Sequence, residues 1–428
     1  MFKLNRRLSQ TLINILVPTL LSILGAVLVL EVGLRIFYRL IPLVVCAADP
    51  IVANYYCQPY FVYDKPIRIA YRYRPGYRSE GWWDPANPSQ ANPEPSAAPR
   101  ARNDSFWYVL QIDEMGFPND EVKWRDHYDI VVTGDSFVIR TAPQTWIELL
   151  SEQSGSSVLT LGASSWSTLN EVEAIKMYGL DKKPRWVLVM FFEGNDLINT
   201  AQYLDKQASG LSWKEYDFQG VPLYRRSLTY HLLRYWFRPK KATEPVRYRY
   251  PVRASTEAGE IELVFKDIHL LPLSADYDTL ARSDEFKAVT DALLELKQLC
   301  NAQGTRMLLV YVPSKEHVYW SRIWDPVDVN NILERTVTVT LSEGDHGRLV
   351  WTPQYLSFDR FSANHNAQER LFGDWAQKNG VEFLNLTPVF WQKSIESGET
   401  YHYADPHWNQ LGNRIAAEAI AEYLATRR

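Results

Sequence analysis

Cysteine is scarce in this chain, with three among 428 residues, at positions 46, 57 and 300. That scarcity excludes a fold stapled by a disulfide framework, and no Cys-x-x-Cys or Cys/His cluster has the spacing of a zinc site. Neither sign of charge is in excess, since 46 Lys and Arg stand against 50 Asp and Glu. Without a basic field the chain cannot attract polyanions in general, which excludes a general nucleic-acid binder. No repeat recurs at a fixed period. What is present is ample core material, 46% hydrophobic against 22% charged, and a length that suggests two to three domains at ~150 residues each.

The mean hydropathy of -0.28 conceals one apolar run. From Thr11 to Leu30 there is no charged residue, and at ~1.5 Å per residue this stretch matches the ~30 Å hydrocarbon core of a bilayer. Residues 11–30 therefore read as one transmembrane helix. Lys3, Arg6 and Arg7 precede it, so the positive-inside rule puts residues 1–10 in the cytoplasm and the rest on the periplasmic or cell-surface side. A cleaved signal peptide fits less well, because the run exceeds a hydrophobic region of ~7–15 residues, and Glu31, Arg35 and Arg39 separate it from Ala47 and Ala48. Lipidation at Cys46 is disfavoured by the bulky Val45 before it. In an oxidising compartment Cys46 and Cys57 can pair. Cys300, among Leu293, Leu294, Leu296 and Leu299, reads as a core residue. Residues 31–103 read as a juxtamembrane stalk followed by a Pro-rich loop over 84–103 that holds neither helix nor central strand.

Beyond that loop, short apolar runs occur at 128–133, 158–161, 186–192, 307–312 and 381–386. Near-continuous runs of this kind suit strands covered on both faces, as in a parallel sheet. Helical periodicity predicts helices over 144–153, 168–179, 283–301, 367–378 and 411–426. Such alternation predicts an α/β sandwich with right-handed crossovers, in which a site forms at the carboxyl ends of the strands.

Three strand ends carry suitable groups. Gly134-Asp135-Ser136 places a serine at a strand-to-helix turn, where free N–H groups favour a developing oxyanion. The second strand ends at Gly162, where a backbone N–H without a neighbouring Cβ can approach a substrate. The third ends in Glu193-Gly194-Asn195-Asp196, whose Asn195 amide can donate to the same oxygen. A base is supplied near the carboxyl terminus by Asp405-Pro406-His407, where Asp405 orients an imidazole that activates Ser136.

These blocks, with Asp405 two residues before His407, resemble the SGNH (GDSL-type) hydrolase superfamily over roughly residues 128–424. The phrases DPHWN and VPSKEHVY (Val312 to Tyr319) further resemble AlgX/AlgJ-type polysaccharide O-acetyltransferases and membrane-anchored relatives. The resemblance implies a flavodoxin-like three-layer α/β/α sandwich with Ser136 as nucleophile, His407 as base and Asp405 as its orienter. It also implies Ser136, Gly162 and Asn195 as oxyanion donors, and no cofactor or metal. Two departures are GDSF in place of GDSL and the proline between Asp405 and His407. The α/β-hydrolase elbow, G-x-S-x-G, is not met, because Val138 stands at its last position.

The remaining candidates have competing readings. Asp135 reads as a structural hydrogen-bonding residue, and His402 as a secondary candidate for the base. Lys315 reads as a solvated side chain or as a contact for an anionic or sugar substrate. Trp166 and Trp408 suit sugar stacking and plain packing equally. Residues 104–428 form the expected catalytic domain, with an insertion over 197–281 placed to wall the cleft and choose the substrate. The insertion carries a basic run, 240–253, that is either solvated or directed to acidic glycans or lipid headgroups. The expected activity is hydrolysis of extracytoplasmic, carbohydrate-linked acetyl or other acyl esters. O-acetyl transfer by the same site and a non-catalytic glycan-binding scaffold are the alternatives.

Overall fold

A computed structural model describes residues 2–37, 61–63, 68–69, 71–83, 104–120, 123–237, 251–323, 333, 337–341, 347–355 and 357–427. Cys46, Cys57 and the Pro-rich segment lie outside them. The chain divides into two compact units, one of residues 1–63 and 211–243, the other of 64–210 and 244–428. Residues 211–243 of the expected insertion thus group with the amino-terminal helix, the rest of the insertion belongs to the larger unit, and that unit begins ahead of residue 104.

The helices used below are α1 (Phe2–Ile36), α2 (Trp146–Ser154), α3 (Thr168–Ala174), α4 (Asp196–Ala208), α5 (Leu228–Phe237), α6 (Asp284–Ala302), α7 (Ala367–Asn379), α8 (Thr387–Ser397) and α9 (Gln410–Ala425). In the smaller unit, α1 runs through Pro18, and its segment Asn14–Ile36 is long and apolar enough to cross a membrane.

The larger unit is built on five parallel strands: β1 (Ile130–Gly134), β2 (Val158–Gly162), β3 (Trp186–Phe192), β4 (Arg306–Val312) and β5 (Glu382–Asn385). Their order across the sheet is β2-β1-β3-β4-β5, the doubly wound flavodoxin-like order. Burial explains the composition of these runs, because every residue of β1 and β3 is buried. Ile130, Val132, Leu188 and Met190 pack with Trp146 and Leu150 of α2 and Ile415 and Ile420 of α9 in one core. From the opposite face, the Phe191 and Tyr311 rings meet Phe372 of α7. The α/β/α sandwich is therefore present, with its topological switch between β1 and β3.

Edge strand β2 is closed by a side chain. Asn119 accepts from Thr160 N at 2.9 Å and donates to Thr160 O at 3.0 Å, so its amide takes the place of a neighbouring strand. At the carboxyl end of the β1–β2 ladder, Gly134 faces Gly162. A Cβ on Gly162 would lie 2.3 Å from Gly134 O and 2.4 Å from Val138 Cγ2, and one on Gly134 would lie 2.8 Å from Val138 Cγ1. The two glycines open a notch that Val138 fills.

Some elements depart from the expected pattern. The helix expected over 168–179 is α-helical only to Ala174 and continues as a π turn over Ile175–Gly179. Within the expected insertion, the alternating run that predicts a strand over 260–266 forms one over Gly259–Val264, and Pro251–Thr256 pairs with it as a hairpin. Arg78–Trp83, inside the segment expected to be a stalk, pairs antiparallel with Phe106–Gln111 of the expected catalytic domain.

Candidate active site

β1 ends at Gly134, and the chain turns at once into a short 3-10 helix, Ser136–Val138, capped by Asp135, whose Oδ1 accepts from Phe137 N at 3.0 Å. As the first residue of that turn, Ser136 has an N–H with no acceptor inside the turn. Its Oγ lies 2.7 Å from His407 Nε2 and 3.3 Å from Asp135 Oδ2. His407 Nδ1 lies 2.5 Å from Asp405 Oδ1, and the same oxygen accepts from His407 N at 3.0 Å. Residues 271 apart in sequence thus form one continuous line, Ser136–His407–Asp405. Burial alone would raise the Asp405 carboxyl, yet the His407 charge and hydrogen bond hold it far below the ordinary carboxylate range.

The loop that presents these two residues is fixed from several sides. Tyr401 bridges Trp408 across it, and His402 N donates to His407 O at 3.0 Å. Trp408 is buried between Phe137 and Phe390. Asn409 then caps α9, accepting from Leu411 N at 3.0 Å and Gly412 N at 3.1 Å. In DPHWN, histidine contacts Ser136 and aspartate contacts that histidine, while tryptophan and asparagine anchor the segment.

Lys315 overturns both of its sequence readings, for it contacts neither solvent nor an open cleft. Its side chain is 0% exposed, and Nζ donates at 3.0 Å to each of three backbone carbonyls, those of His402, Tyr403 and Asp405. Three ammonium donors meet three acceptors, all on the loop that carries Asp405 and His407. Burial lowers the Lys315 ammonium to about 8, against the pull of the Glu316 and Asp405 charges. Tyr319 supports the same loop, its hydroxyl accepting from Thr400 N at 2.9 Å and donating to Gly398 O at 2.8 Å. Sequence reasoning noticed the phrase Val312 to Tyr319 but not its role, because nothing local reveals that its partners are carbonyls some ninety residues away.

On the other side of the site, Glu193 is buried and accepts from Tyr311 Oη at 2.6 Å, Ser314 N at 2.7 Å and Ser314 Oγ at 2.9 Å. His317 Nδ1 lies 2.9 Å from the same carboxylate. Although burial lowers the His317 pKa, the Glu193 and Glu369 charges raise it overall. Glu193 thereby binds the end of β3 to the segment after β4 and fixes the residues that follow it. Among these, Gly194 leaves no room for a Cβ, which would sit 2.5 Å from the Phe192 ring. Asn195 begins α4 without capping it through its side chain. Asp196 does structural service, accepting from Phe192 N at 2.9 Å. Burial, with Asp135 nearby, raises the Asp196 carboxyl well above its usual range.

Gly162 is buried at the end of β2, where packing against Gly134 and Val138 already requires a glycine. Three residues on, Ser165 is exposed at φ 61, a left-handed conformation that a non-glycine residue adopts only under local constraint. Trp166 is buried against Tyr71 and Phe117. Neither it nor Trp408 presents a ring for sugar stacking. His402 is not placed as a base, since its Nε2 lies 2.7 Å from Thr141 O and its ring packs on Trp83. Among the described residues, no group of three His, Cys, Asp or Glu side chains is arranged to hold a metal ion.

No family model matches the chain, and no curated protein matches it. Solved structures that resemble it include a GDSL-like lipase from Bacteroides thetaiotaomicron, at 9% identity and TM-score 0.31, over 70% of this chain and 88% of that one. A lipase/acylhydrolase from Enterococcus faecalis aligns at 10% identity and TM-score 0.30, over 70% and 95%. An acetylxylan esterase from Geobacillus stearothermophilus, solved as a catalytic mutant, aligns at 12% identity and TM-score 0.30, over 68% and 92%.

Proposed function

We propose that the protein is a serine-dependent acyl-ester hydrolase with Ser136 as nucleophile, His407 as general base and Asp405 as the group that orients and stabilises the imidazolium. The observation that carries this reading is the continuous line from Ser136 Oγ to His407 Nε2, 2.7 Å, and from His407 Nδ1 to Asp405, 2.5 Å, at the carboxyl end of β1. His407 takes the Ser136 proton as Oγ attacks the ester carbonyl. The oxyanion is held by the Ser136 N–H, the Asn195 side-chain amide and the end of β2 at Gly162. Each such donor is worth about 10²–10³ in rate. Collapse expels the alcohol, protonated by His407. Water activated by the same imidazole then releases the acid and restores Ser136.

The substrate class is a carbohydrate-linked acyl ester outside the cytoplasm. Two features support that placement: the apolar segment Asn14–Ile36 as an anchor, and Lys3, Arg6 and Arg7 ahead of it as the cytoplasmic flank. The test incubates the full-length chain in detergent with an acetylated oligosaccharide and an unacetylated acceptor, and weighs the products. Hydrolysis predicts free acetate in excess of acetylated acceptor. Acetylated acceptor accumulating faster than acetate would make the protein a transferase. Failure to consume this donor, or several other acyl esters, would overturn the assignment.

A further inference from the structure

Glu31 is an acidic residue inside the candidate span Asn14–Ile36, and its partners lie in a distant part of the sequence. Glu31 Oε2 accepts from Ser227 Oγ at 2.8 Å and from Thr229 N at 2.9 Å, and Oε1 accepts from Leu228 N at 3.2 Å. Arg35 Nε donates to Oε1 at 2.9 Å. A carboxylate from one helix therefore caps the amino terminus of another, where free N–H groups and the helix dipole favour negative charge. α5 is thereby fastened to the last turns of α1, within one compact unit.

α5 has more apolar surface than this contact uses. Leu228, His231 and Leu232 are buried along one side. Leu233, Trp236 and Phe237, related by three and four residues and so sharing another side, are 38%, 63% and 81% exposed. Just ahead of α5, Leu223 is 80% and Tyr224 56% exposed, and the Tyr224 ring meets that of Tyr230 at 5.1 Å. A helix apolar on two sides needs a second apolar environment. The depth of α5 follows from Glu31, the first charged residue after the run Thr11 to Leu30. If that run fills the ~30 Å of hydrocarbon, Glu31 stands at the far boundary, and α5 with it.

We propose that the face formed by Tyr224, Leu233, Trp236 and Phe237 lies in the headgroup–hydrocarbon boundary of the bilayer that α1 crosses. It is a second membrane contact, made by a helix lying along the surface. Aromatic side chains favour that layer, and Arg225 and Arg234 on the same segment carry the charge that anionic headgroups attract. The inference rests on reading α1 as membrane-spanning, and its test separates the two. The full-length chain, with Cys46→Ser and Cys57→Ser and buried Cys300 retained, is reconstituted in vesicles of phosphatidylcholine and phosphatidylglycerol. A nitroxide is attached at Phe237→Cys or, separately, at Val29→Cys, and collision with oxygen and with a water-soluble nickel chelate is measured.

The expected result is oxygen-rich, nickel-poor exposure at both sites, with position 237 about 5–10 Å inside the boundary. A lipid signal at 29 with free nickel access at 237 would overturn the proposal and leave the anchor standing. Shielding of 237 from both reagents would mean that protein covers this face, and would also overturn it. Nickel access at 29 would remove the anchor, and the proposal with it.

Discussion

Ser136→Ala is expected to lower ester turnover about 10⁴–10⁶-fold while leaving the fold intact. The large effect follows because, in the proposed mechanism, Oγ is the atom that forms and breaks the acyl bond. The small structural effect follows because, among the described residues, that oxygen hydrogen-bonds only with His407 and Asp135, while the turn is held by Asp135 and by Val138 in its glycine notch. His407→Gln is expected to cost a similar factor. Because the two side chains act as a unit, the double variant should be no slower than about the worse single one. Steady-state kinetics beside thermal unfolding checks both halves. Turnover unchanged in either variant would contradict the mechanism, and a collapse in melting temperature would mean that Ser136 also matters to the fold.

Lys315→Met is expected to produce the second-largest loss, about 10²-fold in kcat with a smaller change in KM, since a displacement near 1 Å is enough for such a factor. The substitution keeps the stem but strips three carbonyls of their donor, and each buried acceptor left alone costs about 1–3 kcal/mol. The loop that aims Asp405 and His407 must then shift or admit water. A purely structural role would lower stability without touching the pH profile, so the alkaline limb is the discriminating readout. Lys315 gives up its proton near pH 8 in the folded protein but only near ~10.4 in the unfolded chain. Between those values the unfolded state binds the extra proton, so the contribution of Lys315 to unfolding free energy rises with pH. Over the same range the neutral amine keeps two N–H donors for three carbonyls, and kcat should fall. Wild-type activity declining above about pH 8 while Lys315→Met lacks that limb is the expected outcome. Identical profiles would sink the clamp.

The strands were legible because burial on both faces leaves a simple trace. Trp186–Phe192 is unbroken apolar sequence, and each of its residues is buried. The line Ser136–His407–Asp405 was legible for a related reason, since the strand ends and the start of α9 place those residues together once the sheet order is fixed. Supporting groups were not legible, because their partners lie far along the chain. Lys315 is the clearest case: a lysine after a strand end looks solvated until the loop 402–405 arrives above it. Glu193 likewise shows in the sequence only as a residue at a strand end, whereas its carboxylate joins Tyr311, Ser314 and His317. Gly162 had a visible reason in the sequence, approach to a substrate, while the structure supplies another, the space taken by Val138. The grouping of residues 211–243 with α1 depends on Glu31 finding the start of α5, and no periodicity carries that information.

The central claim is that Ser136 is the activated nucleophile, and stoichiometric labelling tests it most directly. The full-length protein is treated with a fluorophosphonate and the modified peptide is identified by mass spectrometry. One equivalent on Ser136, absent from Ser136→Ala and slowed by His407→Gln, is the predicted result. A label on another residue, or equal labelling of Ser136→Ala, would contradict it.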